Sequence, residues 1–171
     1  GRTCLLRNGV ASDGKAVLDV FNRTHEETDY LLTYSDENCF TASQEADFLQ
    51  RKTDSTNTVE IIAIVDGVVA GTAGIDALGM RDKIKHRAVF GIAITKEFWG
   101  LGIGKYLMEA CIECAREAGY LQLELEVVAE NERAVEMYRR AGFIEYGRNP
   151  KAFRLRTGEY QELIDMRLEL K

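Results

Sequence analysis

The sequence predicts a mixed α/β fold, largely antiparallel in its first half and built on a β-α-β-α core in its second. Three observations carry that expectation. Two β-rich runs flank Asp66-Gly67, a two-residue hairpin signal, because both central positions of a type I′ turn take positive φ. Apolar residues recur at helical spacing behind a glycine-rich turn and again after Asn131. Between those helices Leu121, Leu123, Leu125 and Val127 alternate with other residues, the period of a strand.

In chain order, Cys4 to Arg7 is a short apolar strand. Ser12-Asp13-Gly14 offers a helix cap, and Val17, Leu18, Val20 and Phe21 supply the apolar face of the first helix. A polar, threonine-rich stretch follows. Ser43-Gln44-Glu45-Ala46 then opens a second helix to about Gln50, with a capping residue and an early acid. Strands are expected at Val59 to Val65, Val68 to Ile75 and Ala88 to Ile94. A helix from about Gly102 to Ala118 comes next, with Gly119 as its C-cap. The strand Leu121 to Val128 leads to an amphipathic helix from Asn131 to Ala141, closed by Gly142. Phe143 to Tyr146 and Tyr160 to Leu170 complete the strands.

The 171 residues read as one domain, and a hydrophobic content of 46% suits a buried core. The net charge of −6 argues against non-specific nucleic-acid binding, which needs a basic footprint. Cys111 and Cys114 form a CxxC, but both fall inside a predicted helix, and no second CxxC or His pair completes a zinc set. They read as small apolar residues of a packed face in a thiol-reduced, intracellular protein, with no metal. No charged-then-apolar leader and no apolar run of about 18 residues is present, so a cytoplasmic protein without membrane contact is expected.

The segment Trp99-Gly-Leu-Gly-Ile-Gly-Lys105 places three glycines at the mouth of a helix. Glycine in a helix costs roughly 0.5–1 kcal/mol relative to alanine, so the cluster needs a reason. A close backbone approach supplies one. Free N–H groups and about half a positive charge at a helix N-terminus suit a phosphate or pyrophosphate. A Rossmann unit is excluded, because the loop arrives after a hairpin and most of the sheet instead of after a first strand.

Two segments together resemble the GNAT superfamily of N-acetyltransferases. One is the strand-turn-helix from Ala88 to Ala118. The other carries Leu125-Glu126-Val127 and then Asn131-x-x-Ala134-x-x-x-Tyr138-x-x-x-Gly142-Phe143. The resemblance implies an α/β (α+β) fold with a central mixed, mostly antiparallel twisted sheet of six to seven strands and about four flanking helices. It also implies transfer of an acetyl group from acetyl-CoA to an amine without a covalent enzyme intermediate, and often a homodimer. Gly100, Leu101, Gly102, Ile103, Gly104 and Lys105 match the loop whose backbone N–H groups hold the CoA pyrophosphate. The chain departs at the first loop position, where the family commonly has Gln or Arg and Trp99 stands here; packing at the loop base is the expected role. Ile92, Ala93 and Ile94 align with the strand that pairs with the pantetheine arm, and Asn131 with a CoA contact that also caps its helix.

Tyr138 matches the family tyrosine that often protonates the departing thiolate; a phenol with a pKa of about 10 can do so. Many members place a glutamate base on the strand before the loop, but His86 to Ile92 contains no carboxylate. Glu126 is the nearest alternative, since it shares a strand face with Gln122 and Glu124; Glu60 and His86 are weaker options. The acceptor pocket is expected from the N-terminal helices and hairpin ends, where His25-Glu26-Glu27, Asp36-Glu37, Arg154, Arg156 and Glu159 cluster. The missing strand carboxylate keeps a second reading open, a non-catalytic acyl-CoA-binding module.

Overall fold

Asp66 and Gly67 take φ of 49° and 85°, the positive values that a two-residue I′ hairpin demands. In the computed structural model, which describes all 171 residues, this turn joins two neighbouring interior strands of a seven-stranded sheet. The strands are β1 (Cys4–Asn8), β2 (Val59–Val65), β3 (Val68–Ala77), β4 (Arg87–Ile94), β5 (Gln122–Val128), β6 (Ile144–Arg154) and β7 (Tyr160–Glu169). They lie in the order β1-β2-β3-β4-β5-β7-β6. Every pairing is antiparallel except β4 with β5. Four helices flank the sheet: α1 (Gly14–Glu27), α2 (Ala42–Asp54), α3 (Ile103–Glu117) and α4 (Glu132–Arg140).

Strand alternation sorts the side chains between two faces. Val59, Ile61, Ala63, Ile75, Phe90, Leu123, Leu125, Ile164 and Met166 turn one way and form one apolar core with Leu107, Met108 and Cys111 of α3 and Val135 and Tyr138 of α4. Ile62 turns the other way and packs with Val17 of α1 and Leu49 of α2. The sheet thus separates an α3/α4 side from an α1/α2 side.

Several elements differ from the sequence expectation. The Asp13 carboxylate does not cap α1; it pairs with Arg7 and accepts from the Val10 N–H, closing a 3-10 turn ahead of the helix. Thr41, not Ser43, caps α2, in a reciprocal box with Gln44, and the helix continues to Asp54 because Lys52 near its end is buried against β2 and β3. The strand expected at Phe143 to Tyr146 runs on to Arg154 through Pro150. It is an edge strand with a register shift beside the proline, where a missing N–H is tolerated.

Candidate active site

The loop before α3 owes its shape to glycine. Gly100 and Gly102 take φ of 83° and 79°, left-handed values that side-chain-bearing residues resist, and Gly102 is the N-cap of α3. Gly104 lets α3 approach α4: a Cβ there would stand 3.1 Å from the Met137 sulfur. No residue from Gly100 to Lys105 has a backbone N–H bonded within the chain. Six successive donors at a helix N-terminus are therefore left without a partner in the chain, the kind of cradle that suits a pyrophosphate. The cradle stands beside α4, whose Arg133 guanidinium lies 5.7 Å from the Trp99 ring centre. Trp99 packs at the loop base and donates its indole N–H to the Ile94 carbonyl at 2.7 Å.

The strand leading into the loop has an open edge. β4 and β5 pair only over Arg87, Ala88 and Val89 with Gln122, Leu123 and Glu124, and beyond that they splay apart. Ile92, Ala93 and Ile94 pair on their other side with Ala73, Thr72 and Gly71 of β3. Their edge toward β5 is free for an extended, amide-bearing ligand, apart from the Ile94 carbonyl taken by Trp99. That one acceptor, counted in the sequence expectation for the pantetheine strand, is already in use.

Tyr138 lies at this slit. Its ring packs edge-on against Phe90, 6.1 Å between centres at 82°, and against Phe143 at 5.8 Å. Phe90 is the first β4 residue past the last β4–β5 pair. Burial pushes the phenol well above its ordinary pKa, so it keeps its proton at neutral pH, as a donor must. Asn131 caps α4 with its side-chain oxygen on the Ala134 N–H at 3.4 Å.

The α1/α2 side of the slit carries carboxylates. Glu126 is exposed and stands directly opposite Asp165 on β7. Glu124, two residues earlier, is held by the Arg87 guanidinium at 2.8 and 2.5 Å. Glu60 was legible only as a weak option. In the fold it meets the buried Lys52 ammonium at 3.1 Å, and Lys52 also reaches Asp76 at 3.2 Å. Burial raises the Glu60 pKa above the ordinary carboxylate range although Lys52 opposes the shift. His86 lies before β4, and its carbonyl accepts from the N–H groups of Leu121 and Gln122. No group of three His, Cys, Asp or Glu side chains gathers in a metal-binding arrangement.

The sequence profile described as the acetyltransferase (GNAT) family matches residues 17–143, from α1 through the end of α4. The chain belongs to this family. A curated relative, the L-amino acid N-acetyltransferase AaaT of Escherichia coli (strain K12), is 32% identical over 118 residues, covering 68% of this chain and 72% of that protein. The GNAT-family acetyltransferase of Streptococcus pneumoniae superposes with a TM-score of 0.93 at 27% identity, over 98% of this chain and 99% of that one. A GNAT-superfamily phosphinothricin acetyltransferase from Sinorhizobium meliloti, solved in complex with acetyl-CoA, has a TM-score of 0.85 at 20% identity, over 98% and 89% of the two chains, a likeness of fold.

In this GNAT chain the far end of the α1/α2 side is shaped by two segments that the sequence flagged without arranging. A cleft of about 160 Å³ lies between residues 28–34 and residues 152–155, lined by Leu31, Leu32, Tyr34, Phe153 and Arg154 among others. Arg156 fastens the two segments together. Its guanidinium bonds Asp36 at 2.8 and 2.9 Å and lies 4.0 Å from the Tyr34 ring centre, and its N–H donates to the Tyr34 hydroxyl at 3.0 Å. Asp36 is therefore not a free attractor for a cation. Glu37 accepts from the Tyr34 N–H and Glu27 from the Lys96 N–H, so the acidic run largely serves the loop's own structure.

Proposed function

We propose that this GNAT-family chain, acting as one unit over its 171 residues, is an N-acetyltransferase that moves an acetyl group from acetyl-CoA to a primary amine by direct attack in a ternary complex. The observation that carries the reading is the slit between β4 and β5, with the six free N–H groups of residues 100–105 at one end and carboxylates on its far side. Those N–H groups hold the pyrophosphate, the free edge of Ile92 and Ala93 aligns the pantetheine amides, and Asn131 borders the same ligand. Bound acetyl-CoA supplies an activated acetyl thioester at the slit. Tyr138, kept protonated by burial, donates to the departing sulfur. Glu126 and Asp165 make an anionic lip that draws in an ammonium group. Similarity to an enzyme named for L-amino acids favours a small amine beside a carboxylate as acceptor, and Arg154 in the cleft is the cation suited to that carboxylate. No helix is long and apolar enough to cross a membrane, and four free cysteines suit a reducing compartment such as the cytoplasm.

The test is release of free thiol from acetyl-CoA in the presence of an amine panel: amino acids, polyamines, aminoglycosides and peptides with free N-termini. Acceptor-dependent release is expected with at least one member. Tyr138→Phe should lower kcat about 10²-fold while leaving CoA affinity by calorimetry nearly intact. Unchanged turnover in that variant would remove Tyr138 from the role of acid.

A further inference from the structure

One transverse row of cross-strand neighbours crosses the α1/α2 side of the sheet. Glu60 pairs with Gly74, and Gly74 with Gly91. Across the slit, two residues past the last β4–β5 pair, Glu126 faces Asp165, which in turn faces Gly147. The two positions between Glu60 and the slit thus carry no side chain. The Glu60 carboxylate leans into that gap, and its Oε2 occupies the place where a Cβ on Gly74 would stand. Lys52 fixes the same oxygen. Gly91 is exposed, and a Cβ built on it would meet no atom within 4 Å. A carboxylate clamped over β3 is therefore one strand spacing, about 4.8 Å, from the β4 lip of the slit, with open space between.

We propose that Glu60 accepts the proton of the incoming ammonium through water standing over Gly91, with Lys52 fixing its carboxylate. The inference rests on the reading of the acceptor as an amine. The ammonium gives a proton to the water as that water gives one to Glu60. The freed nitrogen lone pair forms the C–N bond while the C–S bond breaks, and the sulfur leaves with the electron pair and takes the Tyr138 proton. The newly acylated nitrogen sheds its remaining extra proton to solvent, Glu60 releases its own, and solvent reprotonates Tyr138. The groups facing Glu60 are Lys52 and Glu45 from α2 and Thr72 and Asp76 from β3. Glu45 is 7% exposed and has no ion-pair partner, so it favours a proton on the pair, whereas Lys52 favours the charged carboxylate. That balance holds Glu60 above an ordinary glutamate and nearer the working pH, where a base is most effective.

The test compares wild type, Glu60→Gln, Gly91→Val and Glu126→Gln with whichever amine the panel identifies. Glu60→Gln should lower kcat/KM about 10²-fold at pH 7, with the loss shrinking as pH approaches the pKa of the free amine. Gly91→Val, which puts a side chain into the open step where a Cβ meets no atom within 4 Å, should shift the profile the same way. Glu126→Gln should raise KM and keep the wild-type acid limb. CoA affinity by calorimetry should be unchanged throughout, and side-chain ¹³C NMR should show the Glu60 carboxyl titrating above ordinary glutamates. A wild-type pH profile in Glu60→Gln, or in Gly91→Val, overturns the proposal. Should Glu60→Gln fail to fold because Lys52 is stranded, Lys52→Met combined with Glu60→Gln removes both charges and is read by the same criteria. An active wild type with an indifferent Glu60→Gln sinks this inference alone, whereas a wild type that acetylates no amine sinks the acceptor reading and this one with it.

Discussion

Asp13 reads in the sequence as a helix cap, and in the fold its carboxylate instead receives both Arg7 Nη groups at 2.7 and 2.8 Å and the Val10 N–H at 2.9 Å. The Arg7 hydrogen bonds hold the carboxyl below its usual range. A depressed folded-state pKa means that the stabilisation is complete above the unfolded-state value and is lost as pH falls through the folded one. Asp13→Asn should therefore cost about 2 kcal/mol at neutral pH in urea denaturation, with the gap to wild type closing in acid. An equal urea midpoint at pH 7 would show the pair to be idle. Tyr138 shows the opposite balance at the same scale. The motif spacing identified it, but only packing against Phe90 and Phe143 explains why its proton is held so firmly.

The start of α3 was legible because its constraint is local. Gly102 at φ 79° caps α3 and lies in the proposed pyrophosphate cradle, and any side chain there is strained whatever the surrounding space. Gly102→Ala is expected to cost about 1–2 kcal/mol in thermal or urea unfolding and to weaken CoA binding measurably by calorimetry. Full CoA affinity in that variant would mean that the cradle does not depend on this turn. The strand expected at Phe143 to Tyr146 is the start of β6, and its continuation to Arg154 escaped the sequence reading for a physical reason. Eleven residues with Pro150 among them and mostly exposed side chains show no apolar alternation, because an edge strand faces water along much of its length. Pairing with β7 makes it a strand, and its far end brings Ala152 to Leu155 to the cleft.

Across the whole molecule, the Lys52 cluster ties α2 to β2 and β3 and places charge under a helix. Lys52 is 6% exposed, so removing its ammonium leaves Glu60 without compensation. Lys52→Met should destabilise the fold by about 3–5 kcal/mol at neutral pH, by urea denaturation, and the loss should shrink on acidification as Glu60 takes a proton. The sign follows from a carboxyl whose folded-state pKa is raised: its contribution is complete below the unfolded value and is lost as pH rises through the folded one. A deficit that stays constant with pH would show that packing, and not charge, is what the variant removes. The sequence by itself determined the hairpin, the glycine cradle, the Asn131–Tyr138–Phe143 pattern and through them the family, since periodicity, turn conformation and capping act over a few residues. Tertiary structure alone decided the arrangement proposed for the acceptor side. Strand register put Glu60, Gly74, Gly91, Glu126 and Asp165 in one row, and the fold brought Arg156 to Asp36, 120 residues away. Such meetings are set by register and helix placement, which no local pattern encodes.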